Sequence, residues 1–114
     1  MDYKTARQFL IEQGTALETR NHSDAFLVHL EQGQPPKPGQ VTAILLALKI
    51  TFEELKNKPT LQRELLLPLY LLAIESHQKF DLGASRGVQW PPLLREDLGR
   101  IATGVKSILA GQWF

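Results

Sequence analysis

The stretch from Leu61 to Phe80, LQRELLLPLYLLAIESHQKF, constrains this chain more than any other. Leu65, Leu66, Leu67, Leu69, Tyr70, Leu71, Leu72, Ala73 and Ile74 place apolar side chains on every side of a helix, and a helix that is apolar all round belongs in an interior. The uncharged run from Leu65 to Ile74 falls far short of the ~18 to 20 residues of a membrane span, so the interior is that of a folded protein. Pro68 cannot donate to the carbonyl of Glu64, which predicts a kink or a wide turn there.

Elsewhere, apolar residues recur at spacings of three and four, and no stretch alternates. The reading is an all-α domain over residues 1–114, with about five helices packed around a buried central helix, 61–80. Asp2 caps a first helix bearing Tyr3, Ala6, Leu10 and Leu17 on one stripe, and Asn21 takes the left-handed position that ends it. Ser23 caps a short helix, SDAFLVHLEQ, that stops at Gly33. After the stiff loop GQPPKPG, the residues Val41, Ile44, Leu45 and Leu48 form one helical face. Thr51 and Glu54 have the spacing of a capping box for a further turn, FEELKN.

Pro91 and Pro92 suit the first turn of the last helix, where Leu94, Leu98, Ile101, Val105 and Ile108 make a seam to lie along the central helix. Gly99 and Gly104 interrupt that helix and predict close approach of a neighbour. Gly111 is its C-terminal cap. Trp113 and Phe114 then either fold back on the core or fill a neighbour's groove.

At 114 residues the chain can bury roughly 60 to 70% of its unfolded surface without staples. It has no cysteine, which removes disulfides, thiolate catalysis and cysteine-ligated metal centres. Thirteen Lys and Arg against twelve Asp and Glu leave a net charge of +1, with the signs interspersed, and such a balance offers no footprint for nucleic acid or membrane. The segment MDYKTARQFLIEQG carries charges through its apolar run and does not read as a signal peptide, so a cytoplasmic setting is expected.

No catalytic set emerges. His22, His29 and His77 lack nucleophile and acid partners, and His77 with Asp81 at i,i+4 reads as a local ion pair near a helix end rather than half a metal site. Gly99-Arg-Ile-Ala-Thr-Gly104-Val105-Lys106 resembles a phosphate-binding loop, but Val105 displaces the lysine and no strand precedes it. Gly83-Ala-Ser-Arg-Gly87 reads as an ordinary turn rather than an anion nest. No enzymatic activity, cofactor or metal is therefore expected. Pro35, Pro36 and Pro38 carry P-x-x-P spacing, which serves either a groove-docking segment or a rigid connector. Trp90 beside Pro91 either lines a ligand pocket or staples its loop to the core.

Residues 13–57 resemble the phage-repressor type of helix-turn-helix domain through Gln13, Ala16, Leu17, Asn21, Ser23, Leu30, Glu31, Gly33, Pro38, Ala47, Leu48, Ile50, Thr51, Glu54 and Leu55. The resemblance implies a helix-turn-helix part over 1–58, with the central and C-terminal helices over 60–114, and DNA binding through the helix 23–32. Yet no Lys or Arg lies between Arg20 and Lys37, and Asp24 and Glu31 would repel phosphates. On that helix Phe26, Val28 and His29 suit a protein contact better. Separately, PGQVTAILLALK and VQWPPLLREDL are similar to short cyanobacterial proteins of unassigned function, which implies again a cytoplasmic setting.

The expected function is thus a non-enzymatic protein-interaction or regulatory module. Its partner is another protein or a second copy of itself, and the contact residues are Phe26, Val28, His29, Pro35, Pro36, Pro38, Trp90, Trp113 and Phe114. A DNA-binding regulator and a small-ligand binder using the Trp90 loop are the alternatives.

Overall fold

The computed structural model describes residues 1–114 and consists of six α-helices. Four are long: α1 (Tyr3–Gly14), α4 (Gln40–Leu55), α5 (Arg63–Ser85) and α6 (Leu94–Ala110). Two short ones, α2 (Ala16–Thr19) and α3 (Phe26–Glu31), lie between α1 and α4. The chain is all-α, and none of its helices is long and apolar enough to cross a membrane.

The long helices close into a ring. α1 packs on α5, α5 on α6, α6 on α4 and α4 on α1, which leaves α4 and α5 across the diagonal, and α3 packs on α5 from outside the ring. This corrects the expected enclosure of the 61–80 helix. α5 is a corner of the ring; Leu65, Leu69, Leu72 and Phe80 are buried, whereas Leu67, Tyr70 and Ile74 face out. Apolar residues on all sides show that a helix can be buried, but the number of neighbours decides how much of it is.

α5 passes unbroken through Pro68, which is buried, and it runs to Ser85, five residues beyond the expected end. Gly14, the last residue of α1, lies against Pro68 so closely that a Cβ there would stand 2.6 Å from the Pro68 Cα and nearer still to its carbonyl oxygen. α6 fulfils its pattern, since Leu94, Leu98, Ile101, Val105 and Ile108 are all buried and Gly111 caps it with φ of 70°. Of its two glycines only Gly104 meets a neighbour: a Cβ would come 3.0 Å from Leu48 Cδ1, while at Gly99 the space is open. Pro91 and Pro92 precede the helix rather than start it, the Pro91 carbonyl accepting from the Leu94 amide at 3.1 Å.

The N-terminal third differs from expectation at its joints. Asp2 caps α1, accepting from the Thr5 amide at 2.8 Å. The long first helix is divided at Thr15, whose backbone leaves the helical region (φ −94°, ψ 7°) while its hydroxyl donates to the Ile11 carbonyl at 2.7 Å. Arg20, not Asn21, takes the left-handed conformation, with φ of 56°, and its guanidinium spans the turn to Glu31 at 2.6 Å. Ser23 caps nothing. α3 starts at Phe26, whose amide donates 3.0 Å to the side chain of Gln13, a partner thirteen residues away. The Thr51–Glu54 capping box is likewise absent, because α4 continues to Leu55 and buries Thr51 within it, leaving the Thr51 hydroxyl without a partner.

Candidate functional site

The residues singled out from the sequence do not converge. Phe26 and Val28 are buried, so the contact face assigned to them belongs to the protomer's own core. Phe26, Leu27, Val28 and Leu30 are all buried on this six-residue helix, which packs on α5 and keeps its whole apolar set inside. His29 is mostly covered, its Nδ1 lying 3.0 Å from the Pro35 carbonyl oxygen. That contact ties the proline loop to α3, with Pro35 and Pro38 exposed and Pro36 half-buried. Asp24 is held by Lys37 at 2.9 Å, and this hydrogen bond keeps its carboxyl below the ordinary range. The loop is thereby tied to α3 and the residues just before it. Glu31, likewise lowered, first by its hydrogen bond to Arg20, also has Lys79 within 3.6 Å.

Trp90 staples the α5–α6 connection. Its Nε1 donates to the Phe80 carbonyl at 2.9 Å, its ring stacks on Phe80 at 5.7 Å, and its edge fills the space that Gly83 leaves on α5. Of the expected turn at Gly83–Gly87, α5 takes residues up to Ser85, and the chain turns at Arg86 and Gly87, the latter with φ of 89°. His77 does not pair with Asp81. Its Nδ1 lies 2.8 Å from the Ala73 carbonyl, one turn back along the helix.

Trp113 and Phe114 fold back along α4 and α6. Trp113 packs on Phe52 at 5.1 Å between centroids, and Lys49 Nζ sits 4.1 Å from its ring. The Phe114 amide donates to Ser107 Oγ at 3.0 Å, and Lys106 Nζ lies 4.2 Å from the Phe114 ring. Both aromatics wall a groove of about 630 Å³ between α4 and α6, floored by Leu45, Leu48 and Gly104 and edged by Glu96 and Arg100. Lys49 and Lys106 thus hold the two rings in cation–π contact, with Trp113 and Phe114 still 44% and 51% exposed.

The most apolar open surface lies on the other side of α6. Tyr70, Ala73 and Ile74 of α5 face Ala102, Val105, Leu109 and Ala110 of α6 across a valley of about 490 Å³, in which the aliphatic stem of Lys106 is the remaining wall. Leu67 extends it along α5. Leu67, Tyr70, Ile74 and Leu109 are 49%, 56%, 39% and 56% exposed, so four large apolar side chains stand together in solvent. None of these residues is among the contact residues expected from the sequence, although their spacing carries the signal: Leu67, Tyr70 and Ile74 recur at three and four, in register with the charged Arg63 and Asp81.

No protein-family model, characterised protein or solved structure matches this chain.

Proposed function

We propose that this chain is a non-enzymatic protein-interaction module whose docking surface is the α5–α6 valley. The observation that carries the reading is the solvent exposure of Leu67, Tyr70, Ile74 and Leu109 on adjoining helices. Two helices presenting an apolar valley accept the apolar stripe of a further helix, whose side chains enter at i, i+3, i+4 and i+7. A benzophenone amino acid at position 70 tests it in the living cell. Protein adducts are expected from position 70 and not from position 53, on the far surface of α4; equal yields from the two would end the reading.

The groove between α4 and α6 favours a second reading, a binder of a flat apolar small molecule. Its volume of about 630 Å³ and its walls of Trp113, Phe114, Leu45 and Leu48 fall in the range of ligand pockets. A thermal-shift screen with aromatic ligands, run on the wild type and on Trp113→Ala, checks it. Shifts in the wild type that vanish in the variant support it, and a flat screen removes it.

A further inference from the structure

The geometry points to a second copy of this chain as the occupant of the α5–α6 valley, packed antiparallel through the outward seam of α5. This rests on the reading of the valley as a docking surface and names its partner. The seam runs Arg63, Leu67, Tyr70, Ile74, His77 and Asp81, and at 100° per residue all six fall within about 40° of one line along the helix. Its centre is residue 72. Arg63 and Asp81 stand nine residues either side of that centre, Leu67 and His77 five, and Tyr70 and Ile74 two, so the seam is its own complement when reversed.

The charges select the reversed arrangement. Arg63 and Asp81 are exposed, make no ion pair within the protomer, and lie about 27 Å apart along the helix. Turned end for end about a two-fold axis at residue 72, the two seams bring Arg63 of each copy beside Asp81 of the other, and Tyr70 beside Ile74. A parallel pair would set Arg63 against Arg63 and Asp81 against Asp81, which like-charge repulsion opposes. The two-fold pairing is also isologous, each copy offering the same patch.

Other charged groups near the seam leave room for it. Lys106, the cation nearest the valley, holds its ammonium over the Phe114 ring, so only its stem faces the opposite copy. Glu64 turns away to Arg7 of α1 at 3.1 Å, and the Arg95 guanidinium lies over the Phe80 ring at 4.9 Å. The result is a four-helix arrangement in which the α5–α6 hairpins of two copies cover one another's apolar valley.

Sedimentation equilibrium of the full chain tests this with Arg63→Asp, Asp81→Arg and the double variant, each checked for native helicity by circular dichroism. The wild type is expected to dimerise, each single variant to dissociate at least about tenfold more readily, and the double variant to recover most of the loss. Tyr70→Glu is expected to abolish the dimer. A monomeric wild type overturns self-association, and adducts to a different protein from position 70 would then leave the docking surface standing. A dimer indifferent to Tyr70→Glu overturns the face. A double variant as weak as the single ones overturns the antiparallel register.

Discussion

Gly14 of α1 and Pro68 of α5 meet backbone to backbone, with no room for a side chain between them. The contact joins two helices more than fifty residues apart and places the end of α1 against the turn of α5 that cannot complete its own hydrogen bonding. Gly14→Ala is therefore expected to destabilise the fold by about 3 kcal/mol, because the atom it collides with is backbone and cannot swing aside. Gly99→Ala, in an open helical position, is expected to stabilise by about 1 kcal/mol. Urea denaturation of the two variants checks both signs.

Thr51 buries a hydroxyl that has no partner. Replacing it by valine keeps the branched shape and removes the group whose desolvation is uncompensated, so Thr51→Val is expected to raise stability by about 1 kcal/mol. A lowered urea midpoint would mean that the hydroxyl is bonded in solution.

Glu75 and Glu31 stand close together with opposite shifts. The Glu75 carboxyl is pushed up, chiefly by burial, with Lys79 opposing and Glu18 and Glu31 adding to it, and its Oε1 lacks a partner. The folded state holds this proton more tightly than the unfolded chain does, so the stability it contributes falls as pH rises from the ordinary carboxylate range through the folded pKa. Glu31 is pushed down, and its contribution is present above the ordinary carboxylate range and lost as pH falls through the folded pKa. Near neutral pH, Glu75→Gln is expected to stabilise and Glu31→Gln to destabilise, each by less than about 1 kcal/mol. Both differences should shrink in acid, as urea titrations over a pH series would show.

Trp113 closes the end of the α4–α6 pair through Phe52 and Lys49. Trp113→Ala is expected to cost about 1 to 2 kcal/mol in denaturant and to leave the sedimenting mass unchanged. Dissociation of a dimer on this substitution would move the interface from α5 to this aromatic pair.

Local pattern is enough to read the buried seam and the C-terminal cap of α6, where five seam residues and Gly111 are all set by neighbours within a few turns. It is enough as well for the all-α class and for the Asp2 cap. What it could not supply was partnership at a distance. The α3 cap is Gln13 and the neighbour of Gly14 is Pro68, while Thr51 reads as a cap only if α4 is taken to end there. The α5 valley was hidden for a related reason. Leu67 and Ile74 are as apolar as Leu65, Leu69 and Leu72, and only the ring of helices distinguishes the covered side from the open one. Phe26 and Val28 show the same ambiguity in the other direction, since the sequence allows them an outer face and the packing of α3 buries both.

Because Trp90 and Trp113 are its two tryptophans, the chain carries a pair of optical reporters in contrasting surroundings. The indole of Trp90 is hydrogen-bonded and stacked at the α5–α6 connection; that of Trp113 is half open to water beside a lysine ammonium. Single-tryptophan variants would thus emit from opposite ends of α6, and their separate unfolding curves would tell whether the hairpin and the far end of the bundle melt together. Coincident midpoints would make the ring of helices one cooperative unit, and an earlier loss of the Trp113 signal would mark the end of α6 as a region that opens on its own.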